Sequence, residues 1–280
     1  MKKSIQFILV ATLILFSSSF HAQKKAKKEK VDTKTRNYYR IPAEVKSDYY
    51  TLNFKNIVSN FESLKFAILL NNTTNDYILW DNKESKVICD WGAKNTVKEK
   101  VFKLKPHKES NKTFTVRGGE QLLVDKFEFE MTGLSRVPSK GKVQKVEDFK
   151  LPASQNSITA GDFTITRLKS KRKTDETYAK FEIVYTGTEI AIVTPNKISV
   201  RVNENDVYAN DYKKKGAYLL NPGDKMTLLA KFHIPAKVAD MQFTDMYIQW
   251  NDTFVLTKSI PLKDVKISFE KNEEMTKERN

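Results

Sequence analysis

The stretch 181–202 alternates apolar and polar positions in short runs separated by turn residues. In 181–185 and 198–202 every second residue is apolar, which is the period of a strand with one buried face. The run 190–193 is continuously apolar, and Pro195 follows it closely as a break. Short strands rich in β-branched residues and separated by turns are typical of antiparallel sheets. The pattern therefore predicts three consecutive strands here.

The same pattern occurs twice along the chain. Segments 49–54 and 66–70 in the first half resemble 162–167 and 181–185 in the second half. Each copy opens with an apolar residue followed by Pro-Ala, at residues 41–43 and 151–153. The repeat predicts two similar modules, each of about 100 residues with six to eight strands, the size of an immunoglobulin-like sandwich.

Two further matches extend the repeat. Segment 118–129 aligns without a gap to 223–234, and 86–91 aligns to 197–202. The second alignment puts Cys89 at the position of Val200, so we expect Cys89 to be a buried core thiol, with a nucleophile or metal ligand as the alternative.

We therefore predict an all-β protein with two tandem immunoglobulin-like antiparallel β-sandwich modules after a signal peptide. The expected organisation is a signal peptide at 1–22, a lysine-rich mobile leader at 23–40, module 1 at 41–137, a linker at 138–150, module 2 at 151–269 and a charged tail at 270–280.

The first residues have the layout of an export signal. Lys2 and Lys3 precede the apolar run 5–16, and small residues follow before Ala22. The alternative is an uncleaved anchor, but a run of about a dozen residues is shorter than the ~20 that span a bilayer. We expect a periplasmic or secreted protein with no transmembrane span in its mature chain.

The net charge of +15 at pH 7 makes acidic partners the expected ones. Segment 24–36 is dominated by Lys and has almost no apolar residues, which favours a solvated tether; attraction to anionic lipid or lipopolysaccharide is the alternative. An envelope protein or an anionic glycan fits an exported location better than nucleic acid does. The sequence does not specify the oligomeric state.

Candidate catalytic chemistry is sparse. The sequence contains no HExxH, Cys-x-x-Cys, Gly-x-Ser-x-Gly or EF-hand spacing. His107 and His233 are expected on the surface, without metal partners. We therefore predict no catalytic residues, no metal and no cofactor, and a protein that is not an enzyme; the alternative is a hydrolase built from scattered carboxylates.

Two basic segments and two tryptophans are the candidate binding features. Trp80 and Trp250 each stand at a predicted strand end before a turn, where they serve either as packing or as a stacking surface for sugar rings. The two basic segments, 167–173 and 213–215, are expected to be loops. They either serve solubility or, if they lie close together, form one positive patch. The candidate binding residues are Arg167, Lys169, Lys171, Arg172, Lys173, Lys213, Lys214, Lys215 and Trp250.

The turn Asn221–Asp224 and the alternating strand after it resemble uncharacterised secreted tandem immunoglobulin-like β-sandwich proteins of Gram-negative envelopes. The resemblance covers most of 41–269, although the first copy has Arg117–Glu120 at the corresponding turn. It implies a fold and a compartment but no active site. The prediction is an exported, non-catalytic binding or scaffolding protein of the cell envelope. The alternative is a glycan-binding or carbohydrate-acting protein that uses module-end aromatics and basic loops.

Overall fold

A computed structural model describes residues 35–95, 100–118, 122–213 and 216–280. The described chain is all-β, with several antiparallel sheets and one short α-helix, as the alternating sequence pattern predicts. The expected signal peptide at 1–22 and the lysine-rich part of the leader lie outside the described residues.

The strands of the first half of the chain are β1 (Asn37–Tyr38), β2 (Val45–Lys46), β3 (Tyr50–Ser59), β4 (Ser63–Asn72), β5 (Tyr77–Asp81), β6 (Lys86–Cys89), β7 (Gly92–Asn95), β8 (Val101–Leu104), β9 (Glu109–Arg117), β10 (Lys126–Met131) and β11 (Leu134–Val137).

The elements of the second half are β12 (Lys142–Val143), β13 (Phe149–Leu151), β14 (Ser157–Ala160), β15 (Phe163–Arg172), β16 (Glu176–Tyr185), β17 (Ile190–Val193), β18 (Ser199–Val202), β19 (Asp206–Ala209), β20 (Tyr218–Leu220), β21 (Lys225–His233), β22 (Met246–Gln249), β23 (Phe254–Thr257), β24 (Ile260–Pro261), β25 (Val265–Glu270) and α1 (Glu273–Arg279). Short 3-10 helices occur at Asn82–Glu84, Pro195–Lys197 and Asn251–Thr253.

The strands form two bodies that share one strand order. The first contains sheets β1-β3-β4-β9, with β2 paired to β3, β25-β10-β6-β7 and β24-β11-β5-β8. The second contains β14-β15-β16-β21, β13-β22-β18-β19 and β12-β23-β17-β20. Strands that hold the same place in these sheets correspond to each other, so β4 corresponds to β16 and β9 to β21.

The alternation of inward and outward residues along each strand explains which side chains form the core. Along β16 every second residue is buried, beginning at Thr177 and ending at Tyr185, because side chains in a strand point alternately to its two faces. The inward residues form one apolar core per body. Both cores contain many aromatic rings, and those of the first body are Tyr39, Tyr50, Phe54, Phe66, Trp80, Phe114, Phe127, Phe129 and Phe269.

The last strand of the chain completes the first body, not the second. β25 pairs with β10 over six residues, from Lys126 with Glu270 to Met131 with Val265. The alternating run that contains Phe269 therefore does not extend module 2 to residue 269 as predicted. The reason is that β6 covers one edge of β10, and β25 pairs with the other edge.

The predicted linker 138–150 also contributes to a sheet. β12 pairs with β23, and β13 pairs with β22 in the second body. These strands occupy the positions that β24 and β25 occupy in the first body. The segment therefore belongs to the second body, and its polar composition reflects exposed edge positions rather than an unstructured joint.

Both ends of the described chain are folded together. β1 pairs with β3, so residues 37–38 of the predicted leader are part of the first body. The predicted charged tail forms α1, whose start is capped by the Asn272 side chain accepting from the Met275 N–H at 3.1 Å. The Thr276 hydroxyl accepts from the Tyr38 N–H at 3.1 Å, which ties the helix to β1.

The repeat alignment needs three corrections. Segment 66–70 matches 179–183 rather than 181–185, because β4 and β16 align from Ser63 and Glu176 onwards, which puts Phe66 at the position of Ala179. Segment 118–129 does not match 223–234, because Phe127 lies in β10, whereas β21 corresponds to β9. Cys89, the last residue of β6, corresponds to Val202 at the end of β18 and not to Val200. It is buried, as expected, and burial raises the pKa of its thiol to about 11.

The two bodies pack through corresponding sheets. Outward apolar residues of the first body, Tyr77, Leu79 and Val137, meet Ile192 and Leu219 of the second body in a separate apolar cluster. Because both bodies contribute matching strands, this contact resembles the isologous interface of a two-fold dimer, here within one chain.

Candidate functional site

The basic segment 167–173 is mostly strand rather than the predicted loop. It forms the end of β15, with a bulge between Arg167 and Lys169. Arg167 donates to Ser170 Oγ at 2.9 Å and also to Asn156 Oδ1. Arg172 donates from Nε to the Met241 carbonyl at 2.5 Å. Both guanidinium groups therefore hydrogen-bond to neighbouring segments of the protein and stabilise the fold.

The lysines of the same segment face solvent on the outer side of the sheet. The register aligns Lys169 with Lys180 on β16, and Lys180 with Leu229 on β21. The next outward row contains Lys171, Tyr178 and Lys231. Neighbouring strands lie about 4.8 Å apart, so each row brings its side chains close together.

One carboxylate neutralises part of this face. Glu176 lies 2.7 Å from the Lys231 ammonium, 3.8 Å from that of Lys173 and 3.9 Å from His233 Nδ1. The hydrogen bond from Lys231 is the main cause that lowers the pKa of Glu176. Among the described residues, no carboxylate forms an ion pair with the outward lysines Lys169, Lys171 and Lys180 or with Lys213, which is exposed in the neighbouring loop. We call these four the basic face.

An open cleft of about 260 Å³ adjoins the basic face. Tyr178, Tyr212 and Tyr218 line it together with Lys180 and Leu229. Tyr218 is 40% exposed, so its ring is available to a ligand. We call this feature the tyrosine cleft.

The second basic segment borders the cleft. Asp211 N–H donates to the Lys231 carbonyl at 2.8 Å, so the chain approaching Lys213 runs along the edge of β21. The two predicted basic segments therefore flank the same three strands, β15, β16 and β21. Lys214 and Lys215 lie outside the described residues.

Trp250 is not part of a binding surface. Its side chain is 1% exposed and packs against Phe181 and Phe254 in the core of the second body. Trp80 is likewise 1% exposed and donates to the Thr132 carbonyl at 3.0 Å. The proposed sugar-stacking role of these two rings is wrong, because the adjoining strands cover both indoles.

Sequence reasoning missed the centre of the cleft. Tyr178 and Lys180 alternate with the buried positions of β16, so the strand period already indicated that they face outward. Tyr218 gave no such signal, because its exposure depends on the packing around the tyrosine cleft, which a local pattern does not show.

His107 and His233 are exposed, as predicted. Within the described ranges, no three His, Cys, Asp or Glu side chains gather in a way that could hold a metal ion. A search of the described helices finds none that is both long and apolar enough to cross a membrane.

Comparison with known proteins adds little. No protein-family model matches the sequence, and no curated protein matches it. Among solved structures, the chain is similar to the secreted serine protease VesC from Vibrio cholerae, with 11% identity over 74% of this chain and a TM-score of 0.21. It is also similar to AerE from Microcystis aeruginosa, with 9% identity over 81% of this chain, 99% of AerE and a TM-score of 0.13. The chain spans 50% of the length of VesC, and neither similarity is strong enough to carry an argument.

Proposed function

We propose that this protein is an exported, non-catalytic binding protein of the cell envelope, built from two tandem immunoglobulin-like sandwiches. In this proposal the second sandwich binds an anionic glycan across the basic face and the tyrosine cleft. The observation that carries the proposal is the gathering of three tyrosine rings around Lys180 in an open cleft beside other unpaired lysines.

The chemistry of the cleft suits a charged sugar. Tyrosine presents an apolar ring face and a polar hydroxyl, so it accommodates a sugar ring and its hydroxyl groups together. Ammonium groups attract sulfates or carboxylates over distances of about 10 Å at moderate salt. Envelope glycans that carry such groups would be natural ligands for an exported protein.

The arrangement supports binding more than catalysis. The only carboxylate paired with lysines on this part of the sheet, among the described residues, is Glu176, which its neighbours hold as an anion. A general acid must carry a proton to donate, which a carboxyl group held as an anion does not. We propose that recognition, without bond cleavage, is the role of this surface.

A heparin-derived hexasaccharide is a suitable first probe, with neutral maltohexaose as the uncharged comparison. We expect titration calorimetry to detect binding of the anionic sugar only, and raising salt to about 0.5 M should weaken it. Lys180→Ala and Tyr218→Ala should each reduce affinity about ten-fold. Lys55→Ala, an exposed lysine on β3 of the first body, is the matched control and should change nothing.

Equal binding of both sugars would show that charge has no part in recognition and would contradict the proposal. So would equal losses in Lys180→Ala and Lys55→Ala, because net charge alone would then explain the affinity. Trp250→Phe should leave sugar binding intact, which separates this site from the discarded tryptophan hypothesis.

A further inference from the structure

The first body contains a second cleft, of about 270 Å³, which the sugar site does not use. It lies between β8 and β9, the edge strands of two facing sheets. In the described part of the chain neither edge pairs with a further strand, and the cleft lies between the two edges. Its volume is near the lower end of the ~300–1,000 Å³ typical of small-molecule sites.

The cleft has both apolar and polar walls. Ile68 and Leu70 of β4 contribute one wall, and Phe102 and Leu104 of β8 contribute the other. Apolar side chains of β4 and β8 therefore line part of the cleft, and a flexible hydrocarbon chain can lie against them.

Ammonium groups stand at the rim. Lys100 and Lys112 line the cleft, and neither forms an ion pair with any residue in the described part of the chain. The Lys112 ammonium lies 5.4 Å from the centre of the Phe102 ring. A third lysine, Lys103, is already occupied, because it donates to the Leu219 carbonyl at 3.0 Å and lies 3.8 Å from Asp224.

The second body shows that a lysine is not required by the fold at this place. In the first body, Lys112 pairs with Ile68, the sixth residue of β4. In the second body, Leu228 pairs with Phe181, the sixth residue of β16. Leu228 is therefore the counterpart of Lys112. Leu228 is 1% exposed and fills the core. Likewise Ser110 stands where the second body has Met226. The first body thus has two polar residues facing inward where its counterpart is packed with apolar side chains.

We propose that this cleft, which we call the acyl cleft, binds a medium-chain fatty acid. The hydrocarbon chain lies between β4 and β8, and the carboxylate meets the ammonium groups of Lys100 and Lys112. Burial of the chain supplies the attraction, because apolar surface leaves water. The two lysines select an anionic head group, since an uncharged head would leave the ammoniums unpaired at the rim.

Titration calorimetry with decanoate and with decanol tests the proposal on the purified protein. Decanoate should bind at least about ten-fold more tightly than decanol, and the difference should shrink in high salt. Lys112→Leu should weaken decanoate binding about ten-fold or more. Ser110→Met together with Lys112→Leu should abolish it, because the second body has these larger apolar side chains at the matching register.

Two controls keep the test decisive. Lys100→Gln changes only an exposed rim residue and should also weaken decanoate binding, so the result does not depend on how the cleft variants fold. Lys180→Ala, in the tyrosine cleft, should leave decanoate binding unchanged, which separates this site from the sugar site. The proposal would be overturned if decanoate did not bind. It would also be overturned if Lys100→Gln and Lys112→Leu bound decanoate as tightly as the unmodified protein does. Tighter binding of decyl phosphate than of decanoate would overturn the assignment of a carboxylate head group.

Discussion

Replacement of Phe269 by Ala should loosen the first body, although this residue follows the whole second body in the sequence. The Phe269 side chain is fully buried. Its ring stacks on Phe127 with centroids 4.6 Å apart and contacts Phe54 and Phe66 at 5.4 and 5.7 Å. It therefore closes a cluster of rings that β3, β4 and β10 contribute.

The expected cost follows from the size of the cavity left behind. Truncating a buried Phe to Ala typically lowers the free energy of unfolding by about 3–5 kcal/mol, from lost transfer energy and unfilled space. Whole domains are stable by only about 5–15 kcal/mol, so the loss should be large enough to measure by urea denaturation. The six-residue pairing of β25 with β10 should weaken as well.

Hydrogen exchange followed by mass spectrometry should locate the effect. In Phe269→Ala, protection should fall in 50–72, which covers β3 and β4, and should persist in 163–185, which covers β15 and β16. Phe149→Ala is the matched control, because β13 occupies in the second body the position of β25, and Phe149 packs on Phe181 with centroids 5.3 Å apart. This variant should show the opposite pattern.

A loss below about 0.5 kcal/mol, the range of ordinary surface substitutions, would refute the role assigned to Phe269. Equal loss of protection in both segments would show that the bodies open as one unit. That result would contradict the view that each body has its own core.

Three further predictions concern single residues. Cys89→Val, which installs the residue found at the matching Val202, should flatten the fall in stability between about pH 8.5 and 11 in urea titrations: the native thiol keeps its proton up to a pKa of about 11 while the unfolded thiol loses it near 8.5, so alkali favours the unfolded chain; equal pH slopes in the two proteins would contradict this. Trp250→Ala should lower the unfolding free energy by about 3–5 kcal/mol, measured by urea denaturation, because the indole is fully enclosed; a change below about 0.5 kcal/mol would show that the ring is not core. Asn272→Ala should lower stability by about 1 kcal/mol and increase exchange of the Met275 amide, since its cap is lost; unchanged exchange would refute the cap.

Local sequence patterns predicted the strands but not all of their partners. The alternation in 181–202 fixed which side chains of β16 and β18 face the core, because that choice depends only on neighbouring positions in one strand. The alternation of Val265, Ile267 and Phe269 is likewise that of a strand, and these residues form β25. Nothing local in it indicates which sheet edge it joins, since both bodies offer a similar apolar edge.

The same limit explains the candidate sites. Trp250 had the sequence context of an exposed strand end, and only the packing of β16 and β23 around it shows that the ring is core. Conversely, Lys112 reads as an ordinary surface lysine, because its neighbours in β9 are polar. Its inward direction becomes visible only when β9 is compared with β21, where the matching residue is a buried leucine. The two copies of the fold can therefore be compared position by position. Where one copy has an inward-facing polar residue and the other has an apolar one, packing alone does not explain the polar residue. Such positions are where binding sites are best sought.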